Sequence, residues 1–144
     1  ALLAAPTRGD ELIPVLSTYG LPLGDAFQMR DDVLGAFGDT AITGKPVGDD
    51  LREGKPTPLM AIATARANAA QLKELQLVGN QDLTPEQIAR VQEVIRETGA
   101  LDELEVVITR LTDEAIAAVH NVPFAQSVRD ELITLAEYVS WRTV

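Results

Sequence analysis

Apolar residues recur at spacings of three and four along most of the chain, and no strand-like alternation competes with them, which restricts the fold to packed helices. The clearest stripe is Leu101, Leu104, Ile108, Leu111, Ala115 and Val119. A second joins Val128, Leu132, Leu135, Val139 and Arg142, and a third joins Ile88, Val91 and Ile95. The third is preceded by Thr84-Pro85-Glu86-Gln87, in which Thr84 caps, Pro85 suits the first helical position and Gln87 completes a capping box; Gly99 then stops the helix. Thr57-Pro58 marks another start and opens an alanine-rich segment, with Ala61, Ala63, Ala65, Ala67, Ala69 and Ala70, that favours close helix packing. The first long helix is predicted from about Asp10 to Phe37, with Leu12, Leu16, Tyr19, Leu23, Phe27, Leu34 and Phe37 inward. Pro22 lacks a backbone donor and crowds the preceding turn, so a kink or short break is expected there.

With 144 residues, 46 % of them hydrophobic, the chain suffices for one packed domain over residues 1–144. The absence of cysteine excludes disulfides and thiolate metal sites and fits a reducing compartment, so a cytoplasmic protein is expected. A formal net charge of −10 disfavours nucleic acid and anionic membrane surfaces as partners. No apolar run is long enough to predict a membrane span. Asp102, Glu103, Glu105, Asp113 and Glu114 read as a solvated face, Tyr138 and Trp141 as packing residues, and His120 as a residue at a helix end with no assigned role.

One stretch differs in character. Between Gly38 and Pro58 the sequence GDTAITGKPVGDDLREGKPTP carries Gly38, Gly44, Gly48 and Gly54 with three prolines, which predicts a loop without regular helix, ordered by itself or by a ligand. On the helix before it, Gln28, Asp31, Asp32 and Gly35 share one face. Adjacent carboxylates repel each other, and enclosing them calls for a cation. With oxygen donors only, no cysteine and a solitary histidine, that cation is expected to be Mg²⁺, which commonly takes one or two carboxylates together with substrate phosphates. The loop adds Lys45, Arg52 and Lys55 among glycines that let the backbone approach an anion. The combination predicts a Mg²⁺-bridged diphosphate site within an acidic protein.

The ordered series Phe27-Gln28-Met29-Arg30-Asp31-Asp32-Val33-Leu34, Gly38-Asp39, Gly44-Lys45, Gly48-Asp49-Asp50-Leu51 and Gly54-Lys55 resembles the second aspartate-rich region, here residues 27–55, of the trans-isoprenyl diphosphate synthases. This polyprenyl synthetase family includes farnesyl and geranylgeranyl diphosphate synthases. Leu23-Gly24 and the closing Leu135-Ala136-Glu137-Tyr138 with Arg142 extend the resemblance over nearly the whole chain. It implies an all-α fold, an antiparallel helical bundle around a central cavity, of which this chain is the C-terminal half and contributes five or six helices. It also implies a transferase that condenses an allylic diphosphate with isopentenyl diphosphate. Asp31 is then a Mg²⁺ ligand, with Asp32 beside it supporting the metal. Phe27, Gln28, Lys45 and Lys55 bind the isoprenyl diphosphate substrate, Asp50 stands behind the metal, and Asp31, Asp32 and Lys45 carry the catalysis. A homodimer is implied as well.

Two departures from the family pattern matter. Gly35 stands where a third aspartate often closes the second motif, with Asp39 one turn further as a substitute. The first aspartate-rich motif is expected in an N-terminal half that precedes Ala1, so this portion alone is expected to be inactive and to leave apolar faces uncovered. A non-catalytic helical subunit that binds a diphosphate or partners an active synthase is the alternative, and a plain helical interaction module is a third reading.

Overall fold

The computed structural model describes residues 9–38, 46–120, 122 and 124–142. Seven helices and no strand are present among them: α1 (Gly9–Phe37), α2 (Asp49–Glu53), α3 (Pro58–Arg66), α4 (Ala69–Leu75), α5 (Pro85–Glu97), α6 (Ala100–His120) and α7 (Gln126–Trp141). The fold is therefore all-α, as expected. The helices divide between two compact units, one drawn from the described residues within 1–28 and 107–142, the other from those within 29–106. Helices α1 and α6 each run through both.

In the first unit, Tyr19 and Leu23 of α1 form a buried cluster with Ala115 and Val119 of α6 and Ala136 of α7. The Tyr19 hydroxyl, within this apolar setting, donates to the Leu132 carbonyl at 2.7 Å. Inside the same unit the buried Thr112 hydroxyl pairs with Ser140 and the Ile108 carbonyl, so these two hydroxyls are partnered. Arg129 donates to the carbonyls of Val119 and Val122 and closes the C-terminal end of α6.

Three expectations for this unit need correction. At Pro22 no break occurs, since helix α1 continues through both Pro14 and Pro22. A proline inside a helix costs about 3 kcal/mol, and the burial of Tyr19, Leu23 and Ala26 on flanking turns works against that cost. On α7 the stripe is also rotated from the expected one, because Val128 and Leu135 are 45 % and 48 % exposed. Ala136 and Ser140 take the buried positions, with Leu132, Ile133 and Val139 beside them. Small side chains mark the closest approach, whereas a reading by hydrophobicity favours the bulky ones. Tyr138 and Trp141 are likewise exposed rather than packed.

In the second unit α5 packs against α3 and α4 and buries Ile88, Val91, Val94 and Ile95. Its expected capping box is present: the Gln87 amide donates to the Thr84 hydroxyl at 3.3 Å, and the Gln87 side chain accepts from the Thr84 amide at 2.9 Å. Thr57 caps α3 by accepting from the Met60 amide at 3.2 Å. The alanine-rich segment is two helices rather than a single close-packing face. Asn68 accepts from the amides of Ala70 and Gln71 and opens α4, and of the six alanines Ala63 is buried.

The stretch between Gly38 and Pro58 is not free of helix either. Its glycines terminate the short α2 instead of preventing it: Gly48 before it and Gly54 after it adopt φ of 70° and 68°. The Leu51 side chain, 1 % exposed, anchors the turn, and the Leu51 carbonyl accepts from the Gly79 amide at 2.9 Å. A Cβ on Gly54 would stand 2.8 Å from the Gly79 Cα, so both backbone conformation and space require glycine there. With α2 and the divided alanine segment, the helices number seven among the described residues.

Replacing Thr84 by Ala is expected to lower stability by about 1 kcal/mol, read as a reduced urea midpoint, while Thr84→Ser stays close to the unchanged protein. Equal midpoints for Thr84→Ala and the unchanged protein would show that the capping box does not hold the start of α5.

Candidate functional site

The second unit brings three of the expected site residues together. Asp32, near the C-terminal end of α1, is 3 % exposed and accepts from Lys55 Nζ at 2.9 Å. The same ammonium lies 3.2 Å from Asp50 Oδ2 on α2, whose residue is 8 % exposed. The local backbone explains the meeting. The left-handed Gly54 turns the chain at the end of α2, the Lys55 amide donates back to the Asp50 carbonyl at 3.1 Å, and the side chain follows toward α1. Two carboxylates thus share one ammonium. The hydrogen bond to Asp32 is the main cause that holds the Lys55 pKa above its ordinary value, against the opposing effect of burial.

Gly35 acquires a physical meaning from this arrangement. A Cβ built there would lie 2.8 Å from Asp50 Oδ1 and closer still to its other two carboxylate atoms. The carboxylate of Asp50 therefore occupies the space over α1 that a side chain at position 35 would need. Sequence reasoning registered the missing aspartate but had no means of seeing that a carboxylate from another element fills the gap.

Other expected residues are placed less directly. Asp31 is half-buried on α1. Phe27 and Gln28, on the same helix, belong to the first unit and are exposed, so the inward position expected for Phe27 is corrected: its ring, 38 % exposed, lies under the Arg142 guanidinium at 4.1 Å from the centroid. Arg52 donates to the Val47 carbonyl at 2.8 Å and so braces its own loop. Lys45 and Asp39 lie outside the described residues. An open groove in the first unit, bordered by Ser17, Thr18, Leu21, Asp25 and Glu114, contains none of these residues.

One pair was missed. Arg30, within the motif itself and 8 % exposed, makes two parallel bonds to Glu105 of α6, at 2.8 and 2.6 Å. Glu103 is paired with Arg66. The acidic run expected to be a solvated face is therefore partly bound by arginines. The available signal was an arginine embedded beside two aspartates on a predicted helix.

Among the described residues no group of three or more His, Cys, Asp or Glu side chains forms a ready-made metal cage. That is compatible with Mg²⁺ held by one or two carboxylates, its remaining positions going to water and phosphate oxygens. The donors present are hard oxygens, half-buried at Asp31 and buried at Asp32, so the residues fit the ion in that mode.

A helical fold in which an Asp-Asp pair on one helix is tied to a glycine-bounded acidic turn defines a class, and the chain belongs to it: residues 1–98 match the polyprenyl synthetase family. The chain is 34 % identical over 131 residues to the geranylfarnesyl diphosphate synthase of Aeropyrum pernix, covering 91 % of this chain and 40 % of that protein. Against the geranylgeranyl diphosphate synthase of Saccharolobus solfataricus it is 32 % identical, over 92 % of this chain and 40 % of the relative. It is also similar to the crystal structure of geranylgeranyl pyrophosphate synthase from Corynebacterium glutamicum complexed with isoprenyl diphosphate and magnesium. That likeness has a TM-score of 0.87 at 44 % identity and covers 91 % of this chain and 38 % of the other. The chain spans about two fifths of the length of the curated relatives it matches.

Gly35→Ala reports on the contact with Asp50. Alanine is favoured over glycine in a helix by about 0.5–1 kcal/mol, yet here it is expected to destabilise by about 1–3 kcal/mol through overpacking. In an Asp50→Ala background the sign should reverse and the same substitution should stabilise. Chemical denaturation of the four proteins checks this, and a destabilisation that persists without Asp50 excludes the carboxylate as its cause.

Proposed function

We propose that this chain is the portion of a trans-prenyltransferase that carries its second metal and diphosphate site, in an enzyme that joins an allylic diphosphate to isopentenyl diphosphate. The observation that carries the reading is the Lys55 ammonium lying between Asp32 and Asp50, which ties the Asp-Asp helix to the glycine-bounded turn. Family membership supports it, as does the magnesium and isoprenyl diphosphate named for the Corynebacterium glutamicum relative.

In this reading Asp31 is the Mg²⁺ ligand, and buried Asp32 steadies the metal's surroundings. When bound, Mg²⁺ supplies Lewis-acid neutralisation of the leaving diphosphate. Lys45, Lys55 and Gln28 bind that diphosphate and stabilise the charge it gains as the allylic carbon–oxygen bond breaks. The double bond of isopentenyl diphosphate attacks the resulting carbocation, and loss of a proton completes a longer isoprenyl diphosphate. Phe27 offers an exposed aromatic face to the isoprenyl portion, held in orientation by Arg142. Asp50 fixes the turn that delivers Lys55.

The rest of the enzyme, with the first aspartate-rich motif, covers the apolar side chains left outside here, among them Leu21 at 71 % and Val106 at 68 % exposed, and the whole assembles as a homodimer. No helix among the described residues is long and apolar enough to cross a membrane. The non-catalytic alternative rests on Gly35 and on the first motif lying outside this chain; the Asp50 carboxylate over position 35 gives that glycine a structural reason of its own.

In the full-length protein, condensation of geranyl or farnesyl diphosphate with isopentenyl diphosphate is expected to require Mg²⁺. Asp31→Ala and Lys45→Ala should each lower kcat on the order of 10²–10³-fold, the usual cost of removing one preorganised electrostatic group at a developing anion. Calorimetry should show loss of Mg²⁺-dependent bisphosphonate binding in both variants. Undiminished binding and turnover in Asp31→Ala would remove the assignment.

A further inference from the structure

We infer that Lys55 is the resident counter-ion of the Asp32 and Asp50 carboxylates, occupying them until a divalent cation and a diphosphate arrive together, and then moving to the diphosphate. This rests on the function proposed above and deepens it. The two carboxylates are enclosed while their partner is open to solvent: Asp32 and Asp50 are 3 % and 8 % exposed, whereas the Lys55 side chain is 39 % exposed on a flexible four-carbon stem. Lys55 also follows α2 rather than lying within it, so helix geometry does not fix its direction. Gly35 leaves the space into which the Asp50 carboxylate is drawn, which sets that oxygen beside the same ammonium that holds Asp32.

An ammonium and a divalent cation compete for the same hard oxygens. Without a diphosphate, displacing Lys55 costs its ammonium both carboxylate partners, and metal binding is opposed. With a diphosphate present, the ammonium acquires a new partner, and the carboxylates can support the metal and its waters. Metal and diphosphate are thereby coupled through one side chain, each strengthening the other. The arrangement disfavours binding of metal alone and makes Lys55 a positioning residue for the ligand pair.

The test uses the full-length protein with Mn²⁺ followed by electron paramagnetic resonance, alone and with inorganic pyrophosphate. Lys55→Met is expected to bind Mn²⁺ alone more tightly, on the order of tenfold, and to lose most of the gain that pyrophosphate confers. Lys55→Arg preserves the charge and grips carboxylates as a fork, so it is expected to bind Mn²⁺ alone more weakly than the unchanged protein. Circular dichroism establishes that each variant is folded; should Lys55→Met fail to fold, the direction of the Lys55→Arg change decides alone. Unchanged or weaker Mn²⁺ binding in folded Lys55→Met, or unchanged or tighter binding in Lys55→Arg, overturns the counter-ion role. Failure of the unchanged protein to bind Mn²⁺ with pyrophosphate would instead sink the functional reading on which it rests.

Discussion

The contact on which the site depends is a single ammonium shared by two buried carboxylates. Asp32 and Asp50 come from different helices, and burial of either one unpaired is strongly unfavourable. Lys55 removes the conflict by joining them, and in doing so determines where α2 stands against the end of α1. Each neighbouring feature follows from that bond: glycine at position 35 clears the carboxylate's path, the left-handed Gly54 aims the lysine, and buried Leu51 holds the turn in place. The alkaline limit has a definite sign. Because the Lys55 pKa is raised, the contact contributes fully below the ordinary lysine value and is lost as pH rises through the higher folded value.

The second unit surrounds this contact with further restraints of the same kind. Gln92 donates to the Ala36 carbonyl at 2.7 Å, satisfying an acceptor at the end of α1, and the Arg96 guanidinium lies over the Phe37 ring. Arg30 is held by Glu105 through two bonds. The motif-bearing end of α1 is thus fixed by partners on α5 and α6 as well as by Lys55. The metal and diphosphate binding proposed for this region calls for that fixity, since misplacing a charged group costs most where charge develops during reaction.

What was legible in the chain followed the reach of each signal. Local chemistry read well: Thr57 and Thr84 cap helices because a cap needs only a few consecutive residues, and Gly99 ends α5 with φ of 72°. The long α6 stripe was legible because most of its buried positions, Leu104, Ile108, Leu111 and Val119, carry bulky apolar side chains. The α7 stripe was not, since contact there selected Ala136 and Ser140, which hydrophobicity ranks low. The division between α3 and α4 was hidden among alanines that carry no periodic contrast, although Asn68 is a recognisable cap. At the site, the identity and order of Asp31, Asp32, Asp50 and Lys55 were readable, but the pairing was not. Which carboxylate meets Lys55 depends on a turn closed between Leu51 and Gly79, far outside the motif's own spacing.

That pairing also explains why the two adjacent aspartates need not share one task. Successive residues on a helix point about 100° apart, so Asp31 and Asp32 lie toward opposite sides of the face they share. Asp32 turns inward to Lys55, and its burial makes it a strut whose removal would strand an ammonium beside Asp50. Asp31, half-buried, retains access to whatever approaches the helix end. An Asp-Asp pair can therefore couple a rigid internal restraint to an outward donor within two residues. While Lys55 stays with Asp32, the second aspartate sets where the first one stands.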